Sequence, residues 1–272
     1  MVHIDEEFYM NFEIIKRLGD GANSEVYLVK EYETGNTFAS KILDNDTFDF
    51  QEIRIWDMMK GDEHILNYFS IFKTRNNTCI LMEVVDGYDL YQMIQKNPSA
   101  MREEKVVELF RQLMIAVSTM HKKEICHLDI KHENIMFDKK DKKLKLIDFD
   151  SCQVGEMVRS TKGTMHFLPP ERINEHDAFN GFKADIWACG VVLFEMYTRN
   201  FPFSHDDDDN YYYSMVKRIM RADYIKEYYQ NEEFAINRKK IDLFSDLISK
   251  IFKVNPDERI SVEDILSHPF LN

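Results

Sequence analysis

The sequence contains no apolar run approaching the ~18 residues that a membrane-spanning helix needs. Its first ten residues, MVHIDEEFYM, also lack the basic-then-apolar order of a secretion signal. Membrane insertion and export are therefore not expected, and the reading is an intracellular protein, cytoplasmic or nuclear. Cysteine is scarce: the four residues at 79, 126, 152 and 189 stand far apart, with no Cys-x-x-Cys pair and no histidine at zinc spacing. That pattern speaks against a disulfide framework or a structural metal, and for four reduced thiols. Positive charge is in deficit as well. Lys and Arg number 35 against 48 Asp and Glu, a formal charge of −13, which disfavours nucleic acid and favours cationic partners. No repeat and no low-complexity linker occurs, apart from the acidic run His205–Asp209.

What is present is ample for a core: 44% of the 272 residues are apolar. The first 85 residues are strand-like. FEIIKRLG, SEVYLVKE, TFASKIL, NYFSIFK and TCILMEVV are short β-branched and aromatic runs separated by turn residues, with one helix expected at about 47–60. After Gly87 the period changes. Val106, Phe110, Leu113, Val117 and Met120 recur at helical spacing behind Ser99, a possible N-cap, and ADIWACGVVLFEMYTR and IDLFSDLISKIF read as buried helices. The sequence thus predicts an α+β chain with a small β-rich lobe, a hinge near 83–88, and a larger helical lobe.

Between the first two strands lies Leu18-Gly19-Asp20-Gly21-Ala22-Asn23-Ser24-Glu25-Val26. Glycines there let the backbone approach a ligand and let amides meet phosphate oxygens, although a plain hairpin turn reads the same way. Lys41 follows on an otherwise apolar strand, where a lysine can also simply snorkel to solvent. The segment His127-Leu128-Asp129-Ile130-Lys131-His132-Glu133-Asn134 then places a carboxylate, an ammonium and an amide in one short loop, ahead of KLKLIDFDSC. That last stretch alternates like a half-buried strand and ends in Asp148-Phe149-Asp150. Phosphoryl transfer needs these groups: a proton acceptor, a cation for the moving phosphate, and hard oxygens for a divalent metal.

In order and spacing, these four segments resemble the eukaryotic protein kinases, serine/threonine type, nearest the calmodulin-dependent-kinase-like group. The resemblance runs from about 12 to 271, with an N-lobe over about 12–83 and a C-lobe over about 89–271. It implies the bilobal kinase fold, ATP as phosphate donor, magnesium (or manganese) as metal, and a protein or peptide Ser/Thr hydroxyl as acceptor. Asp129 becomes the base, Lys131 the partner of the γ-phosphate, Asn134 and Asp148 the metal ligands, and Thr164 a Ser/Thr-type partner of Lys131. Lys41 would hold the α/β-phosphates and pair with Glu52. Leu18, Gly19 and Gly21 would cover the nucleotide. Val26, Ala39 and Met136 would wall the purine, Met82, Glu83 and Val85 would line the hinge, and Asp89 would meet the ribose. Gly163–Glu171 resembles the end of an activation segment, with Glu171 expected to pair with Arg259, and Asp185–Gly190 resembles the helix that anchors the catalytic loop.

Four departures from the family pattern stand out. Ser24 replaces the third loop glycine, and Lys41 and Glu52 are close in sequence. Leu128 stands where many kinases carry an arginine that grips loop phosphate, so activity without loop phosphorylation is expected. Asp150 replaces a glycine, and a left-handed backbone there would cost ~1–2 kcal/mol. Asp89, Glu133 and Glu195, with the run 206–209, suggest basic residues upstream of the target hydroxyl. A pseudokinase that binds nucleotide and serves as a scaffold is the rival reading; no nucleic acid and no membrane is expected as partner.

Overall fold

The computed structural model describes residues 2–21, 23–96, 101–172, 177–203 and 238–272. Ser99, Ala22 and the run 205–209 lie outside them. Two compact units divide after Asp86: 1–86 and 87–272.

The first unit is built on five antiparallel strands, β1 (Phe12–Asp20), β2 (Ser24–Glu31), β3 (Thr37–Asp44), β4 (Tyr68–Lys73) and β5 (Asn77–Met82), in the order β1-β2-β3-β5-β4. These are the five apolar runs of the sequence, rich in the β-branched and aromatic residues that suit extended chain. β5 is buried throughout, as expected for a strand with neighbours on both edges. Before the sheet, α1 (Glu6–Asn11) delivers Phe8, which stacks on Phe12 at 5.0 Å within a core shared with Val29, Ile42, Cys79 and Leu81. No local signal announces this helix. Its position is set by Asp5, whose carboxylate accepts from Thr74 Oγ1 (2.6 Å) and from Asn76 N and Nδ2 (2.7 Å each). After β3, Asp49 caps α2 (Phe50–Met59) by accepting from Gln51 N at 2.9 Å, and the helix buries Glu52, Ile53, Ile55, Trp56 and Met59.

The second unit is mainly helical: α3 (Leu90–Lys96), α4 (Glu103–Lys122), α5 (Gly181–Thr198), α6 (Arg238–Ile251) and α7 (Val262–Leu266). All five residues that set the period of α4 are buried. Its N-cap position is Arg102, not Ser99; Glu103 and Glu104 in the first turn and His121 and Lys122 in the last complement the helix dipole. α5 is apolar almost all round and buried almost throughout, the expected state of a helix at the centre of a unit. A three-stranded sheet, β6-β8-β9, carries the polar loops: β6 (Gly87–Asp89), β8 (Ile135–Asp138) and β9 (Leu144–Leu146). A Cβ at Gly87 would lie 1.8 Å from the Phe137 carbonyl oxygen, so the β6–β8 approach requires glycine. The half-buried strand expected at KLKL is instead buried on both faces, Lys145 included, because α4 covers β9 and Gln112 Oε1 accepts from Leu144 N at 2.8 Å. Two-residue ribbons pair β7 (Ile125–Cys126) with β10 (Gln153–Val154) and β11 (Met157–Val158) with β12 (Phe179–Asn180).

Gly190 tests the packing of α5. A Cβ there would sit 2.4 Å from Ile251 Cγ2 and 3.0 Å from Phe252 Cε1, both buried side chains. Gly190→Ala should gain ~1 kcal/mol in helix propensity but lose ~1–3 kcal/mol to overpacking. A net fall in stability in urea unfolding is expected; a more stable variant would show that the contact relaxes freely.

Candidate active site

The polar loop between β7 and β8 is held from beneath by one buried carboxylate on α5. Asp185 Oδ2 accepts from His127 N and Oδ1 from Leu128 N, both at 2.8 Å, while His121 Nε2 lies 3.0 Å from Oδ2. Leu128 is left-handed, with φ 66°, a conformation costing a non-glycine residue ~1–2 kcal/mol. Two hydrogen bonds to a charged acceptor, each worth ~1.5–3 kcal/mol, offset that cost. The next backbone amide, Asp129 N, donates to His127 Nδ1 at 3.3 Å, and His127 Nε2 lies 3.3 Å from the Ile147 carbonyl, which selects the tautomer with the proton on Nε2.

Thus presented, the Asp129 carboxylate is surrounded by donors. Thr164 Oγ1 donates to Oδ1 at 2.7 Å; Asn134 Nδ2 donates to Oδ2 at 3.1 Å and to the Asp129 carbonyl at 2.9 Å. Lys131 Nζ stands 2.9 Å from Oδ2 and donates to Thr164 Oγ1 at 2.9 Å, closing a ring of Asp129, Lys131 and Thr164. Asp129 keeps 12% side-chain exposure and Lys131 23%, so the ring is fixed but still reachable. Gly163, with φ 124°, allows Thr164 its place: a Cβ at 163 would come within 2.9 Å of the Leu128 carbonyl oxygen.

Asn134 and Asp148 lie at one end of the β8–β9 hairpin, where Ile147 N donates to the Asn134 carbonyl at 3.0 Å. Phe149 is buried, its ring 5.6 Å from that of His127. The left-handed residue of this stretch is Asp148, with φ 63°, and Asp150 is not among the positive-φ residues. The backbone strain expected at Asp150 is therefore absent: the turn is made two residues earlier. Asp150 instead meets the segment that follows. Its carbonyl accepts from Lys162 Nζ at 2.7 Å, its Oδ2 lies 3.7 Å from the same nitrogen, and its Oδ1 accepts from Ser151 Oγ at 2.9 Å. Both side chains of the ion pair are about half-exposed, so the pair itself contributes at most ~1 kcal/mol.

In the first unit Lys41 Nζ stands 2.7 Å from Glu52 Oε1, with 11% and 6% of the two side chains exposed. The short connection between them suffices because α2 begins soon after β3. Cross-strand pairs align Gly19 with Val26, Val26 with Lys41, and Ala39 with Met82, so these residues form one continuous part of the sheet. Leu18 is exposed, and Gly21 N donates to the Ser24 carbonyl at 2.8 Å, closing the turn with Ser24 buried inside it. Glu83 turns back to Asn67, whose amide donates to its Oε1 at 2.7 Å, and Val85 is half-buried beside it. In the second unit Asp89 caps α3 by accepting from Gln92 N at 2.6 Å, and Met136 is half-buried on β8 opposite it.

The family model "Protein kinase domain" matches residues 12–271. The chain belongs to the protein kinase family. The kinase domain is 29% identical to sperm motility kinase 2B of Mus musculus over 273 residues, 98% of this chain and 53% of the relative. It is 30% identical to maternal embryonic leucine zipper kinase of Xenopus tropicalis over 276 residues, 98% of this chain and 40% of the relative. It is 27% identical to death-associated protein kinase dapk-1 of Caenorhabditis elegans over 286 residues, 99% and 19% respectively. The chain thus spans about half, or less, of the length of these relatives.

The donor set of the kinase domain fits a magnesium ion. Asn134 spends its amide N–H groups on Asp129, which leaves Oδ1 as the atom it can offer, and Asp148 adds a carboxylate. Two hard protein oxygens, completed by water and phosphate, are the kind of donor set that magnesium takes. Among the described residues no cluster of three or more His, Cys, Asp and Glu could hold a metal unaided, and no helix is long and apolar enough to cross a membrane.

Glu171 and Arg259 form the expected pair, a two-pronged one at 2.8 and 3.0 Å over the Trp187 ring. Sequence alone assigns no role to Arg172 or His132, and a substrate-facing one to Glu195. Arg172 is buried beside Glu171. His132 and Glu195 are buried together, Nε2 to Oε2 3.3 Å, close enough for an ion pair but misaligned for a hydrogen bond. Burial pushes Glu195 up from 4.5 to about 7, with Glu133 adding to the rise. It pushes His132 down from 6.5 to about 4, opposed by a hydrogen bond with the Val192 backbone, so both neutral forms are favoured. Rather than facing substrate, Glu195 is turned inward on the largely buried α5, with 3% exposure.

A pH prediction follows for Glu195. Between its ordinary 4.5 and its folded value of about 7, the folded state keeps a proton that the unfolded chain has lost, so this group makes stability fall as pH rises. His132 acts with the opposite sign between about 4 and 6.5. Glu195→Gln removes only the falling contribution. The melting temperature of the variant, relative to wild type, should rise from pH 5 to pH 8; a constant difference would contradict the assignment.

Proposed function

We propose that the domain is an active serine/threonine protein kinase that transfers the γ-phosphate of ATP to a protein hydroxyl. The observation that carries this reading is the ring of Asp129, Lys131 and Thr164, braced by Asn134, in which a reachable carboxylate is fixed with a cation beside it. In the reaction the acceptor oxygen bonds to the γ-phosphorus, the bond from that phosphorus to the β,γ-bridging oxygen breaks, ADP leaves, and Asp129 takes the hydroxyl proton. Lys131 balances charge on the transferred group. Lys41, oriented by Glu52, serves the α/β-phosphates. Asn134 and Asp148 would hold magnesium, or manganese, which when bound would supply electrophilic stabilisation of the phosphate oxygens. Leu18, Gly19, Gly21, Val26, Ala39, Met82, Glu83, Val85, Asp89 and Met136 serve the nucleotide by family likeness. The names of the relatives, serine/threonine kinases among them, support the acceptor class.

Two finer readings belong to this proposal. Leu128 in place of a phosphate-gripping arginine supports activity without loop phosphorylation. Exposed Glu133 and half-buried Asp89 support a preference for basic residues upstream of the target hydroxyl, without the help of Glu195. A cytoplasmic or nuclear setting, with no nucleic acid or membrane as partner, suits the composition.

The test is magnesium-dependent transfer from ATP to basic and neutral Ser/Thr peptides by wild type and Asp129→Asn, each treated with phosphatase. Loss of a general base costs ~10²–10⁴-fold, so the signal of the wild type should fall by that factor in the variant. Nucleotide binding without transfer in the wild type would favour the pseudokinase. Activity lost on phosphatase treatment alone would overturn loop independence.

A further inference from the structure

Arg172 has an unusual set of partners for a buried cation. The residue is almost sealed from solvent, at 4% exposure, and its guanidinium lies over the Phe179 ring, 4.6 Å from the centroid. Among the described residues its hydrogen-bond acceptors are backbone carbonyls: Nη2 donates to Ser160 O at 2.8 Å and to Lys162 O at 2.5 Å. Both carbonyls belong to the segment that runs from Asp148 to Glu171. Burial lowers the guanidinium pKa, while the fields of Asp185 and then Asp129 oppose the fall.

The clamped residues abut the active site. Lys162 is followed by Gly163, packed against the Leu128 carbonyl, and by Thr164, bonded to Asp129 and Lys131. Lys162 is held twice, its carbonyl by Arg172 and its side chain by Asp150. A planar guanidinium can serve two carbonyls at once, whereas an ammonium is a point charge on a flexible stem. A buried cation is also costly to leave unpaired, so the segment cannot withdraw without exposing Arg172 or stranding it.

On the reading that the domain is a kinase, we propose that Arg172 is a positioning residue that holds residues 160–164 in their substrate-binding shape without a phosphate, with the Asp150–Lys162 contact as an outer brace. The two departures at 128 and 150 then belong to one arrangement. A cation built into the chain after Glu171 orders the segment from inside, so no arginine at 128 is needed to order it through an added phosphate.

The test uses phosphatase-treated domain, as wild type, Arg172→Gln and Arg172→Lys, and reads hydrogen exchange at the bonded amides of the segment, Lys162, Phe167 and Leu168, which donate to Ser160 Oγ and to the Thr164 and Met165 carbonyls, beside the KM for peptide and for ATP. Arg172→Gln should speed exchange at those amides and raise peptide KM by about tenfold or more with ATP KM unchanged, a loss confined to one substrate. Arg172→Lys should fall between it and wild type in both readouts. If Arg172→Gln does not fold, the Lys variant decides by the same two measures. Unchanged exchange and peptide KM in a folded variant would overturn the proposal, as would equal losses for both substrates. Should the wild type transfer no phosphate, the kinase reading fails on its own, and exchange alone decides the clamp.

Discussion

The buried carboxylate of Asp185 is the constraint on which the rest of the second unit's chemistry depends. It binds two consecutive backbone amides, at His127 and Leu128, and so fixes a loop that has no helix or strand of its own at that point. A left-handed leucine is tolerated there because the carboxylate satisfies its amide. Asp185 can do this only because α5 is buried on nearly every side, which denies the carboxylate water and makes the backbone amides its best partners.

From that anchor the order propagates outward, along the chain to Asp129 and from there through hydrogen bonds. Leu128 determines where Asp129 points, and Asp129 collects Thr164, Asn134 and Lys131. Thr164 ties in the segment that Arg172 grips two and four residues upstream. Asn134 ties in the β8–β9 hairpin, whose far strand ends two residues before Asp148. Each link is a hydrogen bond of 2.5–3.1 Å between groups that are at least partly shielded. Such a network resists piecemeal opening, since freeing one member leaves a buried charge without its partner. The departures from the family pattern fall at its edges: Leu128 presents only its backbone to the network, and Asp150 serves Lys162.

Much of this was legible in sequence. The five strands of the first unit are apolar runs bounded by turn residues, and α4 shows its buried face through a regular period. The Asp129, Lys131, Asn134 and Asp148 positions follow from order and spacing. What was illegible depends on distant partners. α1 is set by Asp5 reaching residues 74–76, some seventy positions away. Glycine at position 150 is a habit of the family, and its absence suggested strain there; the backbone turns at Asp148 instead, which no residue type forces. Glu195 was read as a surface acid although it lies in an apolar stretch, and that stretch was the available sign of its burial. Arg172 looked like any loop arginine, and only the missing cation at 128 could have drawn attention to it.

The most direct measurement of the account is peptide turnover by Asp185→Asn, with nucleotide binding followed in parallel. An asparagine can accept from one of the two amides but turns its own donors toward the other, so the loop should lose its shape while the unit stays folded. Nucleotide should remain bound while turnover falls ~10²-fold or more, the scale of a lost catalytic group. Turnover equal to wild type in a folded variant would show that the loop holds itself, and would contradict the central role given to Asp185.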